Sequence, residues 1–201
     1  MKLLMAGPSP FVRKVLVLLQ ETGQDGDVEK VNVTASPVGG DADLHSANPL
    51  GKIPALVRDE GCTLYDSRVI CRYLDARKGA GLYPDSHLWE TLTLEATGDG
   101  MMEACLQIVY EARFRPEGMR STDWTDGQWT KFTRACAALN ARWMSHLHGR
   151  LDAGHIAVGC ALGYADFRMP DRDWRSGNDA LAAWFKGFSE RPSMTSTLPV
   201  G

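Results

Sequence analysis

Residues 2–14, Lys2-Leu3-Leu4-Met5-Ala6-Gly7-Pro8-Ser9-Pro10-Phe11-Val12-Arg13-Lys14, hold the junction that decides the fold. Lys2–Met5 is a short apolar run closed by Gly7-Pro8 and reads as a buried strand. Ser9-Pro10 then opens a helix, because serine is a favoured N-cap and proline is tolerated at the first helical position. Phe11, Val12, Val15, Leu16, Leu18 and Leu19 supply the apolar side, and Gly23 suits the stop. A strand that runs straight into a helix start presents unpaired N–H groups and about half a positive charge, a setting for an anion. Arg13 and Lys14, in or beside that first turn, oppose the dipole, a conflict relieved if something negative docks there. The plain alternative is that Ser9 is only a cap and both basic groups are solvated.

Reading outward, residues 28–33 alternate as a second strand and residues 41–46 suggest a short helix ended by Asn48-Pro49. Ala55–Val57 and residues 63–65 form two short strands around the turn Asp59-Glu60-Gly61. Ser67–Lys78 is helical, with Val69, Ile70, Tyr73 and Leu74 on one face. The order is βαβ, a loop, then ββα. After Gly79-Ala80-Gly81-Leu82-Tyr83-Pro84 no strand pattern follows. Residues 88–115 read as a long helix with a candidate break at Gly98-Asp99-Gly100. Trp129, Phe132, Cys136, Leu139, Trp143 and Leu147 form an amphipathic stripe. Residues 156–167 are apolar on nearly all sides, as a helix surrounded by others would be. Asn178 is placed to cap a last helix through Leu181, Trp184, Phe185 and Phe188. The chain therefore divides into an α+β domain (1–78), a linker (79–84) and an all-α helical bundle (85–201).

Composition narrows the class. The 201 residues carry 22 Lys+Arg against 25 Asp+Glu, a net charge of −3, which argues against non-specific nucleic-acid binding. Five separated cysteines without a C-x-x-C are neither a disulfide framework nor a zinc spacing, so no metal is expected. The apolar run at the start is too short for a signal-peptide core, and residues 156–165 are about half a membrane span. A cytoplasmic, thiol-reduced protein with no membrane or nucleic-acid partner is expected.

Two further motifs bear on chemistry. In Asn48-Pro49-Leu50-Gly51-Lys52-Ile53-Pro54, a proline at a strand start can be cis and would leave the Ile53 main chain open to an extended peptide; an ordinary turn proline is the alternative. In Tyr65-Asp66-Ser67-Arg68, Ser67 can cap the next helix and hold a ligand carboxylate, while Asp66 can accept from a ligand ammonium. A plain helix cap beside an acidic residue explains the same letters.

Taken jointly, the order and spacing of SPFVRK, NPLGKIP and YDSRVI on this βαβ-ββα frame, with helices behind, resemble the glutathione S-transferase superfamily. The likeness covers essentially the whole chain. It looks nearest to bacterial Ser-type members, whose S-P-F segment is shared with the plant tau class; omega-like members carry Cys where Ser9 stands. The resemblance implies a thioredoxin-like N-terminal domain that binds glutathione as co-substrate, a helical C-terminal domain, and a small hydrophobic electrophile between the two. Ser9 would be the catalytic hydroxyl and a glutathione contact, with Phe11 and Pro54 also among the glutathione-binding residues and Arg13 adding positive potential. Ile53, before Pro54, would pair with the cysteinyl unit, Asp66 and Ser67 would hold the γ-glutamyl end, and Lys52 would sit near the glycyl carboxylate. Asp99 would reach the partner subunit's glutathione in a homodimer, against the alternative of a helix break or tight packing. Met102, Leu106, Tyr110 and Tyr164 are candidates for the electrophile pocket, against ordinary core packing.

The pattern departs at Asp152-Ala153-Gly154-His155, where many members have a Ser/Thr-x-x-Asp capping box. Asp152 can cap, but His155 is not expected to play the acidic part. None of His45, His87, His146, His148 and His155 sits in a catalytic motif. Besides a transferase acting in detoxification, two readings stay open. One is a non-catalytic binding or regulatory protein of the same fold. The other is a glutathione-dependent thiol reductase, weakened because Ser9 cannot form a mixed disulfide.

Overall fold

The computed structural model describes residues 1–199 and divides into two compact units. The first comprises residues 1–88 together with the described residues from Pro192 on, and the second Trp89–Arg191. Residues 192–199, which the sequence places with the helical bundle, thus belong to the first unit.

In the first unit, β1 (Lys2–Met5) leads into α1 (Pro10–Glu21), followed by β2 (Glu29–Asn32), a small hairpin of β3 (Ala35–Ser36) and β4 (Gly39–Gly40), and α2 (Ala42–Ala47). Then come β5 (Ala55–Val57) and α3 (Ser67–Lys78). β1 is the central strand, parallel to β2 and antiparallel to β5, with Leu3 opposite Lys30 on one side and Leu56 on the other. Leu3 and Leu56 are fully buried, as are Val12, Val15, Leu18, Leu19, Ile70 and Leu74 from the apolar faces of α1 and α3. The strand expected over residues 63–65 shrinks to a single bridge, Leu64 with Leu56. Arg58 explains part of this: its Nε donates to Cys62 O at 2.9 Å and ties the preceding turn to its own side chain rather than to a ladder. The β3–β4 hairpin is absent from the sequence reading, its glycines offering no apolar alternation.

The second unit is helical: α4 (Leu88–Phe114, its first residue still in the first unit), α5 (Thr122–Arg142), α6 (Met144–Leu147), α7 (Ala153–Arg168) and α8 (Asp179–Ser189). The short α9 (Pro192–Thr195) returns to the first unit and packs on α1. The architecture is the α+β, thioredoxin-like domain and helical domain expected, and no described helix is long and apolar enough to cross a membrane.

Three local expectations change. First, α4 runs unbroken through Gly98-Asp99-Gly100. A Cβ on Gly98 would lie 2.5 Å from the carbonyl carbon of Ala157, so the missing side chain is what lets α4 and α7 approach; one on Gly100 meets nothing. Second, Asn178 occupies the N-cap position of α8 but its amide donates to Trp174 O at 2.7 Å, and the helix start is served instead by Asn140 Oδ1, which accepts from Leu181 N at 3.0 Å. Third, Asp152 caps α7 with His155 as its partner, the imidazole donating to the cap carboxylate instead of accepting from the cap amide. Asp152 Oδ1 accepts from His155 N at 3.1 Å and lies 2.7 Å from His155 Nδ1, while Thr91 Oγ1 and His146 Nε2 reach Oδ2 at 2.8 and 2.7 Å. Asp152 N also points at His155 Nδ1, at 3.3 Å, but one ring nitrogen cannot both accept there and donate to the carboxylate. The shorter, charge-assisted contact prevails, so Nδ1 carries the proton.

Burial pushes the Asp152 carboxyl up, but the bonds from His155, Thr91 and His146 outweigh it and hold the group far below the usual carboxylate range. A carboxyl that ionises more readily when folded contributes stability above its unfolded pKa of about 3.9, and that stability is lost as pH falls below it. Asp152→Asn is therefore expected to lower stability by about 3 kcal/mol at pH 7, with the gap to the parent protein narrowing below about pH 4 in thermal melts. For the close packing of α4, urea unfolding should find Gly98→Ala destabilised by about 1–3 kcal/mol and Gly100→Ala stabilised by up to about 1 kcal/mol.

Candidate functional site

Ser9 is the last residue before α1, with extended backbone (φ −78°, ψ 124°). Its amide donates to Ala6 O at 3.1 Å, and its Oγ accepts from Val12 N at 3.3 Å. The cap occupies a lone pair, so the hydroxyl proton remains to donate to an anion at the helix start. Pro10 is buried at the first helical position and Phe11 is half-buried. The two basic residues are not solvated. Arg13 is 5% exposed and its Nη2 donates to Met194 O at 3.0 Å. Ser196 Oγ donates to Gln20 Oε1 at 2.7 Å nearby, so α1 seats α9 along its length. The Arg13 guanidinium thus holds the returning chain. Lys14 is 1% exposed, and its charge helps keep Asp66 ionised.

The loop before β5 is organised by a residue the sequence reading passed over except as a helix stop. Asn48, buried, donates from Nδ2 to Lys52 O at 2.8 Å and accepts Leu50 N on Oδ1 at 3.0 Å. An asparagine two residues before the turn it closes is a recognisable Asx-turn signal. The Ile53–Pro54 bond is cis. Ile53 lies outside the ladder, which begins at Ala55, and packs against the cluster of Leu4, Leu44 and Ala55. Lys52 is exposed.

At α3 the cap is Asp66, with Ser67 at the first helical position, and so the capping role expected of Ser67 is corrected. A carboxylate one residue earlier reaches the second helical amide: Asp66 Oδ1 accepts Arg68 N at 3.1 Å, while Oδ2 takes the Arg68 guanidinium at 2.8 Å. Burial raises the Asp66 carboxyl, but the Arg68 bonds and charge, with Lys14, bring it below its ordinary value. Ser67 is buried, and the Tyr65–Asp66 bond is cis. Non-proline cis bonds are too rare to be read from sequence.

In the helical unit, Met102 and Tyr164 are buried, Leu106 and Tyr110 half-buried, and Asp99 is 4% exposed. Tyr110 stands edge-on to Phe114 at 5.2 Å. Burial pushes the Tyr110 hydroxyl up, and pushes Tyr164 up to about 12 against the opposing Arg168, with Cys105 and Tyr110 adding to the rise. Both phenols are hydrogen-bond donors at neutral pH.

Residues 8–77 match the glutathione S-transferase N-terminal domain, and residues 122–187 match the glutathione S-transferase C-terminal domain. An uncharacterized GST-like protein, YibF, of Escherichia coli (strain K12) is 31% identical over 99% of this chain and 98% of its own. A glutathione transferase family member from Pseudomonas fluorescens Pf-5, solved with bound glutathione, is 47% identical with a TM-score of 0.96, covering 100% of this chain and 99% of its own. A second structure from that organism, with bound S-(propanoic acid)-glutathione, is 45% identical at a TM-score of 0.92 with full coverage of both chains. With an N-terminal and a C-terminal domain both matched and a relative alike over nearly its whole length, the chain belongs to the glutathione S-transferase family.

Proposed function

We propose that the protein is a Ser-type glutathione transferase of the bacterial SPF group, which activates the glutathione thiol for attack on a small hydrophobic electrophile. The observation that carries the reading is Ser9 at the start of α1, its lone pair on Val12 N and its proton left to donate. A thiol of pKa about 8.5 is only a few per cent ionised at pH 7. Lowering it by about two units takes about 2.7 kcal/mol. One charge-assisted hydrogen bond and the helix N-terminus together supply that amount. Ser9 then acts as a hydrogen-bond donor to the thiolate; it is neither a base nor a covalent nucleophile, which also disfavours the reductase reading.

The remaining assignments follow the same geometry. The Ile53 main chain takes the cysteinyl unit by strand-like pairing before cis-Pro54. Asp66 and the N–H groups at Ser67 hold the γ-glutamyl end, with Asp66 ionised to meet the ammonium. Lys52, exposed, lies close in sequence to the proposed glycyl carboxylate contact. Arg13 is a positioning residue in this scheme, fixing the first turn of α1 through Met194 O. Met102, Leu106, Tyr110 and Tyr164 are proposed for the electrophile, with the two phenols as donors to its leaving group. The glutathione and the glutathione conjugate in the two Pseudomonas structures support this substrate class. A cytoplasmic homodimer, with Asp99 serving the partner subunit's glutathione, completes the proposal.

Glutathione conjugation to a chloronitrobenzene electrophile is expected, with Ser9→Ala lowering kcat/KM by about tenfold or more, as loss of about 1.5 kcal/mol or more of thiolate stabilisation requires. Because Ser9→Ala also removes a cap, costing about 1 kcal/mol of stability, Ser9→Asp serves as the control that keeps the cap and loses the donor. Activity at the uncatalysed background in the parent protein would favour a binding module instead. For the assembly, sedimentation should give a dimer, and Asp99→Asn should weaken glutathione binding; a monomer, or unchanged affinity, would reject the Asp99 assignment.

A further inference from the structure

α7 ends on Arg168, the first of three arginines in the last turn of that helix and the turn after it. Arg175 takes Asp166 at both oxygens, Nη1 on Oδ1 and Nη2 on Oδ2 at 2.7 Å each, and Trp174 Nε1 donates to Oδ1 at 2.8 Å. Arg172 Nη2 donates to Asp126 Oδ1 at 3.1 Å. Arg168 has no such counter-ion: among the described residues no carboxylate lies within ion-pair distance of it.

A solvated cation at a helix C-terminus needs no partner, because the dipole already favours it. Arg168 is half-buried instead, and its Nε is enclosed without a hydrogen-bond partner. The guanidinium lies over the Phe167 ring, 4.3 Å from its centre, a contact that uses its flat face and leaves the N–H edge unspent. Nε is closed off from any ligand. The terminal nitrogens Nη1 and Nη2 are not enclosed in this way, and as a pair they match the two oxygens of a carboxylate. Arg168 follows Tyr164 by four residues, one turn along the same face of α7, and its charge opposes the burial-driven rise of the Tyr164 hydroxyl. Tyr110 acts on that hydroxyl from α4, where Leu106 stands one turn before it. Leu106 and Tyr110 are half-buried, and so are the reachable members of the proposed electrophile wall.

We propose that Arg168 makes the protein selective for electrophiles that carry a carboxylate, which it holds on Nη1 and Nη2 while the body of the molecule lies against Leu106 and Tyr110. This rests on the transferase reading of those two residues as pocket walls, and it narrows the substrate class to carboxylates bearing a displaceable halide. A neutral electrophile would leave the guanidinium half-buried without a counter-ion, whereas a carboxylate supplies one. In the reaction the thiol proton passes to solvent and the thiolate sulfur forms a bond to the halide-bearing carbon. The carbon–halogen bond breaks, and its electron pair leaves on the halide.

Isothermal titration with two product conjugates tests this without requiring turnover: S-(4-carboxy-2-nitrophenyl)glutathione and its carboxamide counterpart, which lacks the aryl charge. The acid conjugate is expected to bind the parent protein about tenfold more tightly than the amide, and Arg168→Gln to bring that ratio to about one. Arg168→Lys, which keeps the charge but not the planar pair of donors, should fall between. Arg113→Gln, which removes the exposed cation whose charge also reaches Tyr110, should keep the parent's preference. Thermal melts show which variants fold, and the parent's own ratio tests the proposal even where Arg168→Gln does not. In turnover, kcat/KM for 4-chloro-3-nitrobenzoate, divided by its uncatalysed rate constant, should exceed that for 4-chloro-3-nitrobenzamide about tenfold. Equal affinity of the parent for the two conjugates, a preference that survives in folded Arg168→Gln, or a loss of affinity equal for both conjugates would overturn the proposal. Preference for the acid conjugate without turnover of either chloride would reject the transferase reading and leave the selectivity of Arg168 standing, so the two failures are distinguishable.

Discussion

The first unit depends on one junction: a central strand that ends three residues before a capped helix. β1 is bonded on both edges, and Ala6 O receives the Ser9 amide, so the position of the helix start is fixed by the sheet itself. The helix N-terminus is therefore a prepaid electrostatic feature whose direction needs no reorganisation when an anion arrives. Everything proposed for the thiolate follows from that geometry.

Around the junction, buried polar groups tie the apolar elements to one another. Gln24 Nε2 ties the end of α1 to Leu74 O in α3 at 2.9 Å, and Asp75 Oδ1 receives Leu82 N at 2.8 Å where the chain leaves α3. Arg13 fastens α9. Each such group is costly if left unpaired, so these bonds specify one arrangement more than they add net stability. In the second unit Asp152 does the same for α7, gathering Thr91, His146 and His155 onto one carboxylate.

Much of this was legible. The apolar periods of α1, α3 and α7 mark buried faces because a helix must hide one stripe, or all of its surface, from water. Within the stretch 156–167, Ile156–Leu162 is buried throughout, as its all-round apolarity implies. Ser9-Pro10 reads as a helix start because cap chemistry is local. The errors share a cause. Gly98 and Gly100 look alike as letters, yet one faces Ala157 and the other faces open space. Asp66 and Ser67 are both good caps, and it is Asp66 whose carboxylate accepts Arg68 N while Ser67 is the first helical residue. His155 stands where an acid would complete a capping box and donates to the cap carboxylate instead, an exchange of roles that a pattern of letters does not display.

Local chemistry written in order along the chain, namely caps, periods, turn residues and their spacing, was enough to determine the two-part architecture, the strand-to-helix junction at Ser9 and the family. Tertiary structure alone decided that Arg13 and Lys14 are buried, that residues 192–199 return to the first unit, that Asn48 braces the loop before cis-Pro54, and that the missing side chain of Gly98 admits Ala157. The physical reason is the range of the interactions. A cap or an amphipathic stripe is satisfied within a few residues of itself, whereas a buried guanidinium or a missing side chain acquires meaning only from atoms that the fold brings beside it, as Met194 is brought to Arg13 across 181 residues of chain.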